Sequence, residues 1–209
     1  MIENVGPASS GPGLIVTEGR HDVEFLKRVS RMLHTHDPRL PDLVQLESQS
    51  QVVFIPAGGD LRAWPRRLAP LPQPQFYLFD RETAPTSAER QTIVQAINRR
   101  PHCRAFLTTK RATENYLHAS AIRDACSVAI EVDDESDIPE LLACKVVDLT
   151  AGPAWVSLSR RGRNRLRNRI KKTLNTVAVD QMTPSLLAER DPTGEVVNWL
   201  TVIAQIIPS

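Results

Sequence analysis

Apolar residues in this chain follow two alternating periods. Four short runs, "LIVTE" (14–18), "VVFIP" (52–56), "FYLFD" (76–80) and "CRAFLTT" (103–109), read as strands. The third is nearly continuous in apolar residues, as expected where both faces of a sheet are covered. Between them the period changes. "RHDVEFLKRVSRML" sets Val23, Leu26, Val29 and Leu33 at helical spacing. A short helix is expected around Leu61 to Leu68, after the tight turn "AGGD". A third covers "SAERQTIVQAINRR" (87–100) with Ser87 as its N-cap, and a fourth covers "ATENYLHASAIRDAC" (112–126). Strand and helix in this rhythm predict βαβ units, hence an α/β, Rossmann-like fold with a mainly parallel four-stranded sheet flanked by helices. Right-handed crossovers then bring the C-terminal ends of all strands to one edge, where open α/β sheets bind ligands.

The pattern changes outside residues 14–126, the expected core. Residues 1–13 are rich in Gly, Pro and Ser and are expected to be flexible. Residues 127–209 are expected to form a helical appendage packed on the core. Within it, "EVDDESDIPE" (131–140) reads as a solvated acidic loop and "LLACKVV" (141–147) as a short element of unassigned type. "RRGRNRLRNRIKKTLN" (160–175) reads as a basic helix or loop-helix. "EVVNWLTVIAQII" (195–207) is an amphipathic helix that could pack internally or form a homodimer.

Composition narrows the class. With 209 residues, 41% hydrophobic and 24% charged, the chain suits one soluble domain, with or without a small appendage. Three scattered cysteines form no CxxC pair, which argues against a zinc site and fits a reducing compartment. No signal-peptide pattern and no membrane-length apolar run is present, so a cytoplasmic, non-membrane protein is expected. The net charge is only +2, but eight cations lie between Arg160 and Lys172 with no acid among them. Arg160, Arg161, Arg163, Arg165, Arg167 and Arg169 are therefore candidate contacts to nucleic-acid phosphates, a solvated basic face being the plainer alternative. Aromatic residues make up 5% of the chain, too few to suggest a base-stacking platform. Trp64, Trp155 and Trp199 are read as core or interface anchors and His21 as a surface histidine. His34, His36 and Asp37, before Pro38, mark a helix stop.

Carboxylates stand where the strands end. Glu18 closes the first strand and Asp22 lies in the first turn of the helix after it. Asp80 and Glu82 follow the third strand, and Glu114 follows the fourth. Taken singly, each could be a cap or dipole partner. Together, five acids at one sheet edge repel unless a cation intervenes, and hard divalent ions suit all-oxygen ligand sets. Mg²⁺ or Mn²⁺, as a pair of ions, is therefore the expected cofactor, and a two-ion site can clamp the attacking and leaving oxygens of a phosphodiester.

"EGRHD" after an apolar strand, followed by "FYLFDRE", resembles the TOPRIM domain of topoisomerases, bacterial primases, small ribosomal-RNA maturases and OLD-family nucleases. "TENYL" and "AGGD" are similar to the OLD-type branch, and the resemblance covers roughly residues 14–120. It implies that Glu18, Asp22, Asp80, Glu82 and Glu114 hold metal, with Glu18 also nearest the attacking water. It further implies that Gly19 and Gly59 allow close backbone approach, and that a C-terminal lysine offsets transition-state charge. "IKKTLN" offers Lys171 or Lys172 for that lysine, with Lys110 and Lys145 as competitors. Two departures stand out: Glu82 replaces the second Asp of the family's Asp-x-Asp pair, and no G-x-x-x-x-G-K-[ST] loop is present, so any ATPase would be a separate partner. The implied activity is a metal-dependent nuclease leaving a 5′-phosphate and a 3′-hydroxyl. DNA is favoured over RNA, and the implied setting is an antiphage system. An RNA- or tRNA-cleaving enzyme and a non-catalytic module that binds nucleic acid or an ATPase remain as alternatives. Topoisomerase action is not expected, since Tyr77 and Tyr116 are the only tyrosines.

Overall fold

The computed structural model describes residues 11–150 and 152–207. The first ten residues of the segment expected to be flexible lie outside them, while Gly13, its last residue, already belongs to the sheet. Four parallel strands, β1 (Gly13–Thr17), β2 (Val52–Pro56), β3 (Gln75–Phe79) and β4 (Cys103–Leu107), lie in the order β2-β1-β3-β4. The order reverses between β1 and β3, which leaves a crevice at their C-terminal ends. Every residue of β1 and of β3 is buried, as their unbroken apolar runs require.

Helices cover both faces. One face packs against α3 (Ala63–Leu68) and α4 (Thr86–Asn98), which enclose Leu14, Val16, Tyr77 and Phe79. The other carries a larger core in which Ile15 and Phe76 meet α1 (Arg20–His36), α5 (Ala119–Cys126), α6 (Ile138–Asp148), α7 (Arg160–Thr173) and α9 (Glu195–Ile206). Residues 127–207 thus supply much of one layer of the domain. Trp199 of α9 is fully buried and meets Tyr116 edge to face at 5.3 Å, so truncation to alanine would cost about 3–5 kcal/mol. Trp64 and Trp155 are half-buried.

Several local expectations are corrected. The helix expected over 112–126 breaks at Leu117: a 3₁₀ turn, Thr113–Tyr116, precedes α5, which is capped by the His118 side chain. Ser87 is not a cap, since α4 begins at Thr86 behind Pro85 without a side-chain cap bond. The loop 131–140 is not simply solvated. Asp134 pairs with Lys110 and Arg190, Asp137 pairs with Arg111 and Arg167, and Ile138 and Pro139 are buried in the first turn of α6, the helix into which 141–147 resolves. Two short helices lacked a readable period: α2 (Leu43–Ser48), capped by Asp42, and α8 (Pro184–Arg190), capped by Thr183. The basic segment is helical from Arg160 and runs through a π turn, Leu174–Ala178, as far as Asp180. No helix among the described residues is long and apolar enough to cross a membrane.

Candidate metal centre

Four carboxylates meet at the crevice between β1 and β3. Glu18, one residue beyond β1, accepts the Asp80 backbone N–H at 2.8 Å through Oε1, which ties the two strand ends together. Asp22 is buried in the first turn of α1. Its Oδ2 accepts the Gly19 N–H at 2.8 Å, a capping role, while Oδ1 accepts the Thr113 hydroxyl at 3.2 Å. Asp80, also buried, accepts the Thr113 N–H at 3.0 Å through Oδ1. Thr113 therefore links Asp22 to Asp80 and sets Glu114, the next residue, into the same space. Glu114 is wholly inaccessible; its Oε1 accepts from Asn175 Nδ2 at 2.8 Å and lies 3.5 Å from Lys171 Nζ.

Two cations close the cluster. Arg90 of α4 binds both oxygens of Glu18, at 2.6 and 2.8 Å, and also donates to the Asp80 carbonyl. Lys171 of α7 approaches from the opposite layer. Formally, four carboxylates against these two cations leave two negative charges, the charge that one divalent ion would neutralise.

The crowding is visible in the acidities. Burial raises the Glu18 carboxyl to about 7 against the pull of Arg90, with Asp22 adding to the rise. Burial and the nearby Glu114 raise Asp22 to about 6. Asp80 is pushed well above the ordinary range by burial and by Asp22 and Glu18. Lys171 moves upward, because Glu114 outweighs its burial. His21 is half-buried rather than a surface residue, and its pKa is lowered by burial, then by Arg20 and Lys171.

The other candidates separate. Glu82 sits at the rim with φ +55° and faces Arg111 at 3.4 Å rather than a fellow acid. Lys172 is exposed while its neighbour Lys171 reaches the acids, Lys110 is committed to Asp134 at 2.5 Å, and Lys145 is exposed. A Cβ on Gly59 would meet nothing within 4 Å, so its φ of +97°, not close approach, calls for glycine there. Gly19 has extended backbone, and its contribution is the N–H given to Asp22. In α7, Arg167 is tied to Asp137 at 2.5 Å and to Glu140, whereas Arg160, Arg161, Arg163, Arg165 and Arg169 form no ion pair among the described residues. Arg161, Arg165 and Arg169 recur every fourth residue, are all exposed, and make one basic stripe.

Two participants had no readable signal. Arg90 lies in an ordinary amphipathic helix, and Asn175 reaches Glu114 only because the π turn brings it there.

Among the described residues no three Asp, Glu, His or Cys side chains already converge as a ligand set; Arg90 and Lys171 hold the carboxylates in ion pairs instead. The donor chemistry nevertheless fits a hard cation. Glu114 Oε2 and Asn175 Oδ1 are both buried without a hydrogen-bond partner, and orphaned oxygens of this kind are rare unless something binds them. A cleft of about 30 Å³ beside Glu82, Glu114 and Lys171, also lined by Arg111 and Arg167, has room for about one water; of the four carboxylates only Glu114 lines it. No family model, curated protein or solved structure matches the chain.

Proposed function

We propose that this chain is a TOPRIM-type, OLD-like nuclease that hydrolyses nucleic-acid phosphodiester bonds with Mg²⁺ or Mn²⁺, acting on DNA in preference to RNA. The observation that carries the reading is the meeting of Glu18, Asp22, Asp80 and Glu114 from three strand ends, with an orphaned buried oxygen on Glu114. These four residues would hold the metal, with Glu82 adding an oxygen from the rim. The charge imbalance accounts for one divalent ion; a second would be completed by the substrate phosphate. When bound, such ions supply Lewis-acid activation and charge neutralisation at the phosphate.

The chain's own groups do the rest. Glu18 would hold the ion and orient the attacking water beside it, and two bonds from Arg90 fix its carboxylate plane. Lys171 stays charged beside Glu114 and can offset charge that develops on the phosphoryl oxygens. The stripe Arg161, Arg165 and Arg169 can hold a sugar-phosphate backbone without reading its sequence. A role as the nuclease subunit beside a separate ATPase in an antiphage system rests on resemblance alone.

A second reading is favoured by the ion pairs themselves: acids already balanced by Arg90 and Lys171 would suit a non-catalytic nucleic-acid-binding module. Incubating wild type and Glu18→Gln with supercoiled plasmid and with total tRNA, in Mg²⁺, Mn²⁺ or EDTA, separates the two. Metal-dependent cutting by wild type alone supports the nuclease and identifies its polymer. Binding without cutting under any metal supports the module.

A further inference from the structure

On the far face of the sheet, α3 and α4 leave an open groove of about 550 Å³ between them. Its floor is apolar, built from Pro65, Ala69, Ile93, Ala96 and Ile97. Its rim is basic: Arg62, Arg66 and Arg100 stand against one carboxylate, Glu89, and that one is neutralised by Arg62 at 2.7 Å. Arg66 is exposed and has no carboxylate within ion-pair distance among the described residues. Arg100 is held in place by neutral acceptors only, the Pro65 carbonyl and Gln75 Oε1, both at 3.0 Å. Beyond Ala69 and Arg100 the groove continues into a second hollow of about 400 Å³ that runs past the exposed Leu71 to His102.

We infer that this groove docks an acidic amphipathic helix of a partner protein. A phosphodiester backbone gains nothing from an apolar floor, and a purely apolar partner would leave two guanidinium groups without counter-charges. A helix with an apolar stripe flanked by carboxylates satisfies both parts at once. From Glu89 to Ile97 the groove follows α4 for about 12 Å, room for about two turns of a docked helix. Charge complementarity also argues against a second copy of this chain through its most apolar helix, since α9 turns Val196, Trp199, Leu200 and Ile203 into the core and its one carboxylate, Glu195, is bonded to Thr109 and Tyr116. Docking here is independent of whether the carboxylate cluster is catalytic.

The test is fluorescence anisotropy with two labelled synthetic helices that share a leucine stripe at i, i+3, i+4 and i+7, one carrying glutamate at the remaining positions and the other lysine. The full chain is expected to bind the glutamate helix with salt-sensitive affinity and the lysine helix not at all. Arg66→Glu and Ala96→Glu should each weaken binding about tenfold or more. Both positions are exposed, and unchanged circular dichroism would exclude unfolding as the cause. Absence of binding at about 1 mM peptide, equal binding of both helices, indifference to Ala96→Glu, or displacement of the glutamate helix by a single-stranded oligonucleotide from this groove would each overturn the inference.

Discussion

Arg90 grips Glu18 through both carboxylate oxygens, at 2.6 and 2.8 Å, and in the same reach donates to the carbonyl of Asp80. One residue of α4 therefore fixes the ends of two neighbouring strands. Arg90→Gln removes the partner of a largely buried carboxylate, which is expected to cost about 3 kcal/mol where that group is charged. Because Glu18 titrates near 7, the loss should be larger at about pH 8 than at about pH 5, where the group is protonated. Urea unfolding at the two pH values checks this; equal losses at both would mean that Arg90 acts through packing alone.

The raised pKa values also set a sign for the whole chain. The ordinary values for Glu18 and Asp22 are 4.5 and 3.8, and in the fold they are about 7 and about 6. A carboxyl with a raised pKa binds more protons folded than unfolded, so it favours the fold at low pH and loses that contribution as pH climbs from about 4 to about 7. Divalent ions compete with those protons. The gain in melting temperature from Mg²⁺ should therefore be larger at about pH 8 than at about pH 5. Scanning calorimetry with and without Mg²⁺ reads it directly, and an equal gain at both pH values would contradict it.

Lys171 and Lys172 are neighbours in sequence but not in role. Lys171→Met leaves the inaccessible Glu114 without its cation and should destabilise the protein by about 3–5 kcal/mol near pH 8, with partial recovery in Mg²⁺. Lys172→Met changes an exposed side chain and should stay within about 0.5 kcal/mol. Chemical denaturation of the two variants side by side decides between them, and similar values would remove Lys171 from the centre.

The basic helix divides in the same way. Substituting Arg161, Arg165 and Arg169 together by glutamine should leave the fold intact and lower the slope of log affinity against log salt by about one for each phosphate that is no longer neutralised. Arg167→Gln should instead lower stability, because Arg167 binds Asp137 and Glu140. An unchanged salt slope in the triple variant would take the stripe out of nucleic-acid binding.

The four strands were legible because runs such as 76–80 are short, apolar and bounded by polar residues. The carboxylates were legible because parallel topology sends every strand end to one edge, so position along the chain translates into position in space. The helices α2 and α8 were not, since six or seven residues complete too few turns to show a period, although Asp42 and Thr183 mark their caps. Arg90 and Asn175 escaped for another reason. Their roles depend on which helix face meets the crevice and on a π turn, and neither leaves a mark in residue spacing.

A divalent-metal centre is proposed at Glu18, Asp22, Asp80 and Glu114. Its most direct test is titration of Mn²⁺ into wild type and Asp80→Asn, followed by electron paramagnetic resonance of the free ion. Wild type should take up Mn²⁺ in competition with Mg²⁺, and Asp80→Asn should lose at least about ten-fold in affinity while keeping its fold. Equal uptake by both proteins, or none by wild type up to millimolar Mn²⁺, would mean that these carboxylates hold no divalent ion.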